Sequence, residues 1–238
     1  MRNKLGYKLK SVFVTVIVLL LFSSCGVAAE DYEGLRENMV NSQIISRGIK
    51  DEKVINAMLK VKRHLFVPKE YEKYAYRDQP LPIGYSQTIS QPYIVAFMTE
   101  AAGLKLSDKV LEVGTGSGYQ AAVLTEIVDR VYTIEILGPL ARSAKQRLKK
   151  LGYKNIYVLC GDGYKGWPEE APFDVIIVTA APSEIPEELV KQLKEGGRMI
   201  IPVGSFFQEL YRVSKKDGKI EKKGLLPVRF VPMVHGED

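Results

Sequence analysis

Residues 109–118 read Lys-Val-Leu-Glu-Val-Gly-Thr-Gly-Ser-Gly, and the predicted fold follows from this segment. Its first half is a β-branched and apolar run, which is typical of a buried strand, and three glycines follow at every second position. Residues 119–128 then have the composition of a helix. A buried strand, a glycine loop and a helix in this order predict the first unit of a parallel α/β sheet.

The same alternation continues towards the carboxyl end. The predicted strands are 109–113, 130–136, 155–160, 173–179, 198–203, 209–214 and 226–231. The predicted helices between them are 119–128, 139–151 and 186–193. Only a Lys- and Gly-rich turn at 215–224 separates the last two strands. We therefore predict an α/β fold with a mostly parallel, doubly wound sheet and an antiparallel strand at one edge.

The segment before this sheet is predicted to be helical and then irregular. Apolar residues recur at helical spacing over 33–47, and Gly48 is a typical stop. Asp51 is predicted to cap a second helix, and Ser90 a third that runs to Ala102 with Pro92 in its first turn. We predict one domain over 31–238, with a helical, substrate-side part at 31–89 and a cofactor-binding α/β core at 90–238.

The first thirty residues differ from the rest in composition. Four cations precede an unbroken apolar run at 12–22, which has about half of the roughly 20 residues that a membrane-spanning helix needs. This pattern predicts an export signal over 1–24. Cleavage before Cys25 would leave a lipidated cysteine, and cleavage after Ala29 is the alternative. The protein is expected to be exported or membrane-anchored, with the membrane contacted only through this signal or the lipid.

Composition excludes several classes of protein. The chain is 46% hydrophobic and 26% charged, which excludes a disordered chain, a collagen-like repeat and a polytopic membrane protein. The four cations of 1–24 account for all but two of the six net positive charges, so no nucleic-acid partner is indicated. Two cysteines and two histidines give no disulfide framework and no predicted metal site. We expect a monomer, and we predict that Cys160 is a packed thiol.

The glycine loop predicts the class of ligand. A dinucleotide fingerprint would need its third glycine at position 119, which is Tyr119, and no Gly-Lys-Ser/Thr follows as in a phosphate-binding P-loop. The pattern Gly114-x-Gly116-x-Gly118, with Glu112 two residues upstream, is expected when an amino-acid-and-nucleoside ligand lies over the loop. A plain tight turn is the alternative interpretation.

Acidic residues follow the next two strands. Glu135 ends the second strand, 21 residues after Gly114, where its carboxylate could accept hydrogen bonds from both ribose hydroxyls and would repel the 2′-phosphate of NADP. Asp162, between two glycines, could reach an adenine amino group. A solvated strand-end acid and a turn aspartate are the respective alternatives. Together with the glycine loop, these residues indicate S-adenosyl-L-methionine (AdoMet).

The predicted AdoMet contacts come from loops that follow four neighbouring strands. Because the carboxyl ends of parallel strands meet at one edge of a sheet, these loops should converge there. The predicted cofactor-binding residues are Glu112, Gly114, Thr115, Gly116, Ser117, Gly118, Glu135, Asp162, Gly163 and Thr179.

Four stretches of this sequence resemble one enzyme family. They are Ile83-Gly-Tyr-Ser-Gln-Thr-Ile-Ser-Gln-Pro-Tyr93, Val110-Leu-Glu-Val-Gly-Thr-Gly-Ser-Gly-Tyr119, Gly161-Asp-Gly163 and Ala171-Pro-Phe-Asp-Val-Ile-Ile-Val-Thr-Ala-Ala-Pro182. They look like those of protein-L-isoaspartate O-methyltransferases. The glycine loop is shared by many AdoMet-dependent methyltransferases, whereas Thr-Ile-Ser at 88–90 is far more specific. The similarity runs from about Val40 to the carboxyl end.

The resemblance implies a class I methyltransferase (Rossmann-like) fold and methyl transfer from AdoMet to the free α-carboxyl of L-isoaspartyl residues in damaged proteins and peptides. This reaction would initiate repair and release S-adenosyl-L-homocysteine. The resemblance also implies that Thr88, Ile89 and Ser90 shape the substrate pocket and that Ser90 is an active-site residue. A helix cap is the alternative role for Ser90.

The predicted export signal departs from this family, whose members are usually cytoplasmic, so a cytoplasmic location is the alternative. Two other functions also stay open from the sequence. One is an AdoMet-dependent methyltransferase with a different acceptor, and the other is a catalytically silent exported binding module.

Overall fold

The computed structural model describes residues 30–236, and two sheets organise them. A hairpin comes first, formed by β1 (Leu81–Gly84) and β2 (Gln87–Ile89). The seven strands of the large sheet are β3 (Lys109–Val113), β4 (Arg130–Glu135), β5 (Ile156–Cys160), β6 (Phe173–Val178), β7 (Leu193–Val203), β8 (Gln208–Lys216) and β9 (Lys219–Val228).

The strand order of the large sheet is β5-β4-β3-β6-β7-β8-β9. The five strands from β5 to β7 are parallel, β8 is antiparallel to β7, and β9 is antiparallel to β8. The chain moves outward from β3 to β5 and then returns to β6 on the other side of β3. The strand order therefore reverses at β3 and β6, where open α/β sheets bind their ligands.

The antiparallel edge of the sheet is a long hairpin. The predicted turn at 215–224 is wrong in extent, because only Asp217 and Gly218 turn the chain, with φ of +51° and +69°. Residues 219–224 belong to β9 and are exposed. Their Lys and Gly composition is typical of a loop, but lysines also suit an edge strand, where they disfavour pairing with other chains. β9 ends at Val228, so the predicted strand at 226–231 is too long by three residues.

The helices are α1 (Tyr32–Met39), α2 (Glu52–Lys60), α3 (Pro92–Ala102), α4 (Tyr119–Thr125), α5 (Gly138–Lys150) and α6 (Glu187–Gln192). A π-helical turn and a 3-10 turn extend α1 to Arg47, and Gly48 ends it with a φ of +95°. The Asp51 carboxylate accepts a hydrogen bond from the Lys53 amide at 2.9 Å, as a cap of α2 should.

Ser90 does not cap α3, so that interpretation of the sequence is wrong. Gln91 is the N-cap residue, and no side chain caps the helix by a hydrogen bond. Pro92 at the first helical position has no amide hydrogen, which leaves one donor fewer to satisfy. Ser90 is held by its backbone instead, because its carbonyl accepts a hydrogen bond from Arg63 Nη2 at 2.7 Å.

Hydrophobic side chains cover both faces of the large sheet. On β3, Val110 packs in the larger cluster with the helical amino-terminal part, whereas Leu111 and Val113 pack in a second cluster that includes Leu189 of α6. Successive residues of a strand point to opposite faces of the sheet, so the side chains of one short strand pack in both hydrophobic clusters. This arrangement is the predicted doubly wound sheet.

Two further predictions concern Cys160 and the amino-terminal residues. Cys160 is exposed, so the prediction of a packed thiol is wrong; β5, which it ends, is the sheet edge rather than an interior strand. The predicted export signal at 1–24, Cys25 and the alternative cleavage site after Ala29 lie outside the described residues. Within residues 30–236, the helices are all too short or too polar to cross a bilayer.

Candidate active site

The glycine loop at 114–118 leaves the carboxyl end of β3 in left-handed backbone conformations. Gly114, Gly116 and Gly118 have φ of +101°, +52° and +87°. A Cβ atom at Gly114 would also collide with the hydroxyl of Thr179, which donates a hydrogen bond to the Gly114 carbonyl at 2.8 Å. The loop therefore requires glycine for its conformation and for its close approach to the end of β6.

Glu135 lies beside this loop, as the sequence predicts. The residue is 6% exposed, and its carboxylate accepts hydrogen bonds from the Gly116 amide at 2.7 Å and the Leu137 amide at 3.0 Å. A carboxylate has about four acceptor positions, so two remain for a ligand's hydroxyl groups. Glu135 thus both shapes the loop and offers acceptors beside it.

Glu112 lies beneath the loop and is completely buried. Its Oε2 accepts a hydrogen bond from the Thr133 hydroxyl at 2.5 Å, and the Thr115 hydroxyl lies 2.7 Å from that of Thr133. Glu112 Oε1 has no hydrogen-bond partner among the described residues. Burial raises the pKa of Glu112 to about 8, so its carboxyl group is neutral at pH 7 in this structure.

A cleft of about 670 Å³ opens above the glycine loop, and we call it the glycine-loop cleft. Five of the predicted cofactor-binding residues line it, namely Gly114, Gly116, Glu135, Gly163 and Thr179. A smaller inner cleft behind the loop is lined by Glu112, Thr115 and Ser117. Most of the predicted binding residues are therefore gathered around one loop.

Asp162 does not line either of these clefts. Its carboxylate accepts hydrogen bonds from the amides of Tyr164 at 2.8 Å and Gly236 at 3.2 Å, and His235 Nδ1 lies 3.5 Å from it. These contacts fit the alternative of a turn aspartate. Contact with an adenine amino group stays a prediction.

The Ser90 cleft, of about 910 Å³, adjoins the glycine-loop cleft. Thr88, Ser90 and Arg229 line it. Ile89 points instead into the core, where it is 4% exposed, and it reaches only the inner cleft. Alternation along the chain thus gives the predicted substrate residues two roles, with Thr88 and Ser90 facing the cleft and Ile89 anchoring them.

The two clefts meet at three residues. Thr88, Thr179 and Val231 line both of them. A group bound above the glycine loop and a group bound beside Ser90 would therefore approach each other at this junction. The geometry suits the transfer of a small group between two ligands that enter from different sides.

The sequence analysis did not predict the β1–β2 hairpin or the role of Arg63, which binds Ser90 just after this hairpin. Ile83 of β1 lies against the glycine loop, with its Cδ1 3.2 Å from where a Cβ at Gly116 would stand. Arg63 is completely buried and donates to the carbonyls of Ala75, at 2.8 Å, and Ser90, at 2.7 Å. Burial lowers the pKa of Arg63 to about 10, so it stays charged at pH 7. No sequence pattern distinguishes Arg63 from the exposed cations around it.

The carboxyl-terminal segment was also missed as part of the site. Residues 231–234 line the glycine-loop cleft. They are fixed to Ala181, whose amide donates to the Val231 carbonyl at 2.8 Å and whose carbonyl accepts from the Met233 amide at 2.9 Å. The apolar run at 230–234 after the last strand is the only sequence signal for this wall.

Among the described residues, no group of three His, Cys, Asp or Glu side chains could hold a metal ion.

The chain matches a family model over residues 35–238, described as protein-L-isoaspartate(D-aspartate) O-methyltransferase. It is 54% identical to the protein-L-isoaspartate O-methyltransferase of Opitutus terrae over 225 residues, which cover 92% of this chain and 96% of the relative. It is 53% identical to protein-L-isoaspartate O-methyltransferase 1 of Nitrosospira multiformis, with 94% of this chain and 98% of the relative covered.

A solved structure is also similar. The Plasmodium falciparum protein-L-isoaspartate O-methyltransferase, crystallised with S-adenosyl-L-homocysteine, matches with a TM-score of 0.73 and 30% identity, covering 87% of this chain and 99% of that one. The predicted class I methyltransferase fold is confirmed by this likeness. The chain belongs to the protein-L-isoaspartate(D-aspartate) O-methyltransferase family.

Proposed function

We propose that this enzyme transfers a methyl group from AdoMet to the free α-carboxyl of L-isoaspartyl residues in damaged proteins and peptides, and so initiates their repair. The observation that carries the proposal is the junction of the two clefts at Thr88, Thr179 and Val231. Family membership favours this function over another acceptor and over a silent binding module. The expected products are the methyl ester and S-adenosyl-L-homocysteine.

The residues around the glycine loop fit AdoMet. Gly114 lets the loop approach Thr179 without a side chain between them, Glu135 offers acceptors for hydroxyl groups, and Glu112 Oε1 is a buried acceptor that lacks a partner among the described residues. When bound, AdoMet supplies an electrophilic methyl group on a sulfonium. We infer that the loop residues and Glu135 hold the nucleoside and that Glu112 faces the α-ammonium group, the positive charge that AdoMet and S-adenosyl-L-homocysteine share.

The acceptor needs no general base. An α-carboxyl group has a reference pKa of roughly 3.5, so it is ionised at neutral pH and can attack the methyl carbon directly. The residues of this chain then act by positioning, which can supply several kcal/mol of a reaction barrier. Thr88 and Ser90 are proposed to hold the substrate carboxylate or its peptide flank through their hydroxyl groups. Arg63 fixes Ser90 through its backbone carbonyl.

The first test compares peptides that differ only in the damaged residue. The wild-type protein should methylate a peptide with an L-isoaspartyl residue and leave the matched aspartyl peptide unmodified, measured by transfer of labelled methyl groups. Ser90→Ala should lower kcat/KM for the isoaspartyl peptide by about tenfold, the value of one lost hydrogen bond to a charged group. Because Ser90 caps no helix, the free energy of unfolding should change by less than about 0.5 kcal/mol.

Ser107→Ala is the matched control for Ser90→Ala. Ser107 is exposed and precedes β3, at the amino end of this strand and away from the glycine loop. This variant should therefore keep the activity of the wild type. Unchanged activity of Ser90→Ala would contradict the substrate role of Ser90. Equal methylation of the aspartyl peptide would contradict the proposed acceptor.

The glycine loop can be tested with a pair of glycines that have similar backbone angles. Gly114→Ala would place a Cβ against the Thr179 hydroxyl, whereas Gly48, with a φ of +95°, has open space around its Cβ position. Both substitutions should cost about 1 kcal/mol of stability through left-handed strain, and Gly114→Ala should cost more because its Cβ also collides with the Thr179 hydroxyl. Only Gly114→Ala should weaken S-adenosyl-L-homocysteine binding, by more than tenfold in calorimetry. Equal binding by the two variants would contradict the position of the cofactor.

Glu112 should release a proton when the cofactor binds. Its pKa of about 8 means that it is protonated at pH 7, and a positively charged ligand group nearby would lower that pKa. The enthalpy of S-adenosyl-L-homocysteine binding at pH 7 should therefore depend on the ionisation enthalpy of the buffer. Glu112→Gln should remove this dependence, and so should a pH well above 8. A buffer-independent enthalpy in the wild type would contradict the role of Glu112.

We further propose that the protein is exported and held at a membrane by a lipid on Cys25, which the basic and apolar composition of 1–24 supports. The full-length chain should then fractionate with membranes and incorporate labelled fatty acid, and Cys25→Ser should abolish both. Release of a soluble chain starting at Glu30 would instead support cleavage after Ala29. Recovery of the intact chain in the cytoplasm would contradict export.

The protein is also proposed to act as a monomer. Light scattering of the purified protein measures the oligomeric state directly, and a mass of two chains would contradict a monomer.

A further inference from the structure

Two adjacent aromatic side chains stand fully exposed in the turn between β7 and β8. Phe206 is 99% exposed and Phe207 96% exposed, although the turn itself has a defined geometry. Gly204 has a φ of +125°, and any side chain there would collide with the carbonyl oxygen of Phe207. Large apolar side chains that a structured turn holds in solvent are typical of a binding surface. We call residues 204–207 the Phe206–Phe207 turn.

This turn borders the active site. Because β7 is parallel to β3, the carboxyl ends of both strands lie on the same side of the sheet, and the Phe206–Phe207 turn therefore lies on the side of the glycine loop. The Gly204 amide donates a hydrogen bond to the Pro182 carbonyl at 2.9 Å, in the loop that begins with Thr179. On the other side, the Phe230 amide donates to Gln208 Oε1 at 2.6 Å.

Both of these neighbouring segments contribute to the clefts. Phe230 lines the Ser90 cleft, and Thr179 lines both the Ser90 cleft and the glycine-loop cleft. The Phe206–Phe207 turn is thus tied to one of the segments that enclose the proposed acceptor site by a backbone hydrogen bond of Gly204, and to the other through the side chain of Gln208, the residue that follows the turn.

We propose that Phe206 and Phe207 form a docking surface for apolar side chains of the substrate polypeptide that flank the isoaspartyl residue. This inference rests on the proposed function, because only a polypeptide acceptor continues beyond the cleft on both sides. The turn and the residue after it, 204–208, carry no charge, so an apolar partner suits them better than an acidic or basic one.

Such a surface would also favour unfolded substrates. In a folded protein most apolar side chains are inside and cannot reach an external aromatic pair, whereas in an unfolded segment they are accessible. Docking on Phe206 and Phe207 therefore selects damaged sites in chain segments that have lost their packing.

A lipid bilayer fits this turn less well. Binding to anionic lipid is supported by clusters of Lys and Arg, and residues 199–211 contain neither. Of the five lysines of β8 and β9, Lys215, Lys216 and Lys219 lie at the hairpin turn, at the far end of the strands, and Lys222 and Lys223 lie midway along β9. These lysines and the aromatic pair therefore do not form one membrane-facing surface.

The test uses two isoaspartyl peptides of equal length, one flanked by Leu and Phe and the other by Ser and Gly. The wild-type protein should have the lower KM for the apolar peptide. The double variant Phe206→Ser/Phe207→Ser should raise that KM by about tenfold, as expected for two interface aromatics, with kcat unchanged. The KM for the polar peptide and the binding of S-adenosyl-L-homocysteine should stay as in the wild type.

Leu106→Ser is the matched control, since Leu106 is 65% exposed and precedes β3 at the opposite edge of the sheet. It should leave both KM values unchanged, and all variants should unfold at the wild-type temperature. Equal KM values of the double variant and the wild type for the apolar peptide would overturn the inference while leaving the proposed function in place. Loss of binding to phosphatidylglycerol vesicles with unchanged KM would overturn it in favour of a lipid surface. Failure of the wild type to methylate either peptide would overturn the proposed function, and this inference with it.

Discussion

The site depends on the close approach of the glycine loop to the end of β6. Thr179 donates its hydroxyl hydrogen to the Gly114 carbonyl at 2.8 Å, and this contact leaves no room for a side chain at Gly114. Thr179 also lines both clefts, so the contact that closes the loop lies where the glycine-loop cleft meets the Ser90 cleft. Because β3 and β6 are the strands at which the sheet order reverses, their carboxyl ends diverge into a crevice there.

Two carboxyl groups support the loop from different surroundings. Glu135 accepts two backbone hydrogen bonds at the mouth of the crevice. Glu112 is completely buried, has one oxygen without a partner among the described residues and is neutral at pH 7 because burial raises its pKa. The site thus combines a fixed acceptor for hydroxyl groups with a buried acid that a cationic ligand can ionise. This division suits a ligand that carries a ribose at one end and positive charge at the other.

The acceptor side is assembled from segments that are far apart in the sequence. Arg63 binds the Ser90 carbonyl from behind, the β1–β2 hairpin places Ile83 over the glycine loop, and residues 231–234 close the glycine-loop cleft. A buried guanidinium that satisfies backbone carbonyls is costly to remove, since both acceptors would be left without a donor. The segments that line the Ser90 cleft are therefore fixed by the same packing that stabilises the helical amino-terminal part.

The parallel sheet, the glycine loop and the position of Glu135 can be predicted from the sequence, because each depends on local pattern. Apolar runs form strands, glycine permits left-handed backbone, and the end of a strand fixes the position of its last side chain. Which candidate residues share a cavity depends on the tertiary structure. In the folded structure Ile89 points into the core, and Asp162 accepts hydrogen bonds from the amides of Tyr164 and Gly236. Cys160 is exposed on an edge strand, and Arg63 donates a hydrogen bond to the Ser90 carbonyl. These outcomes depend on contacts between distant segments, and a single sequence carries no local signal for the partner that a side chain meets after folding.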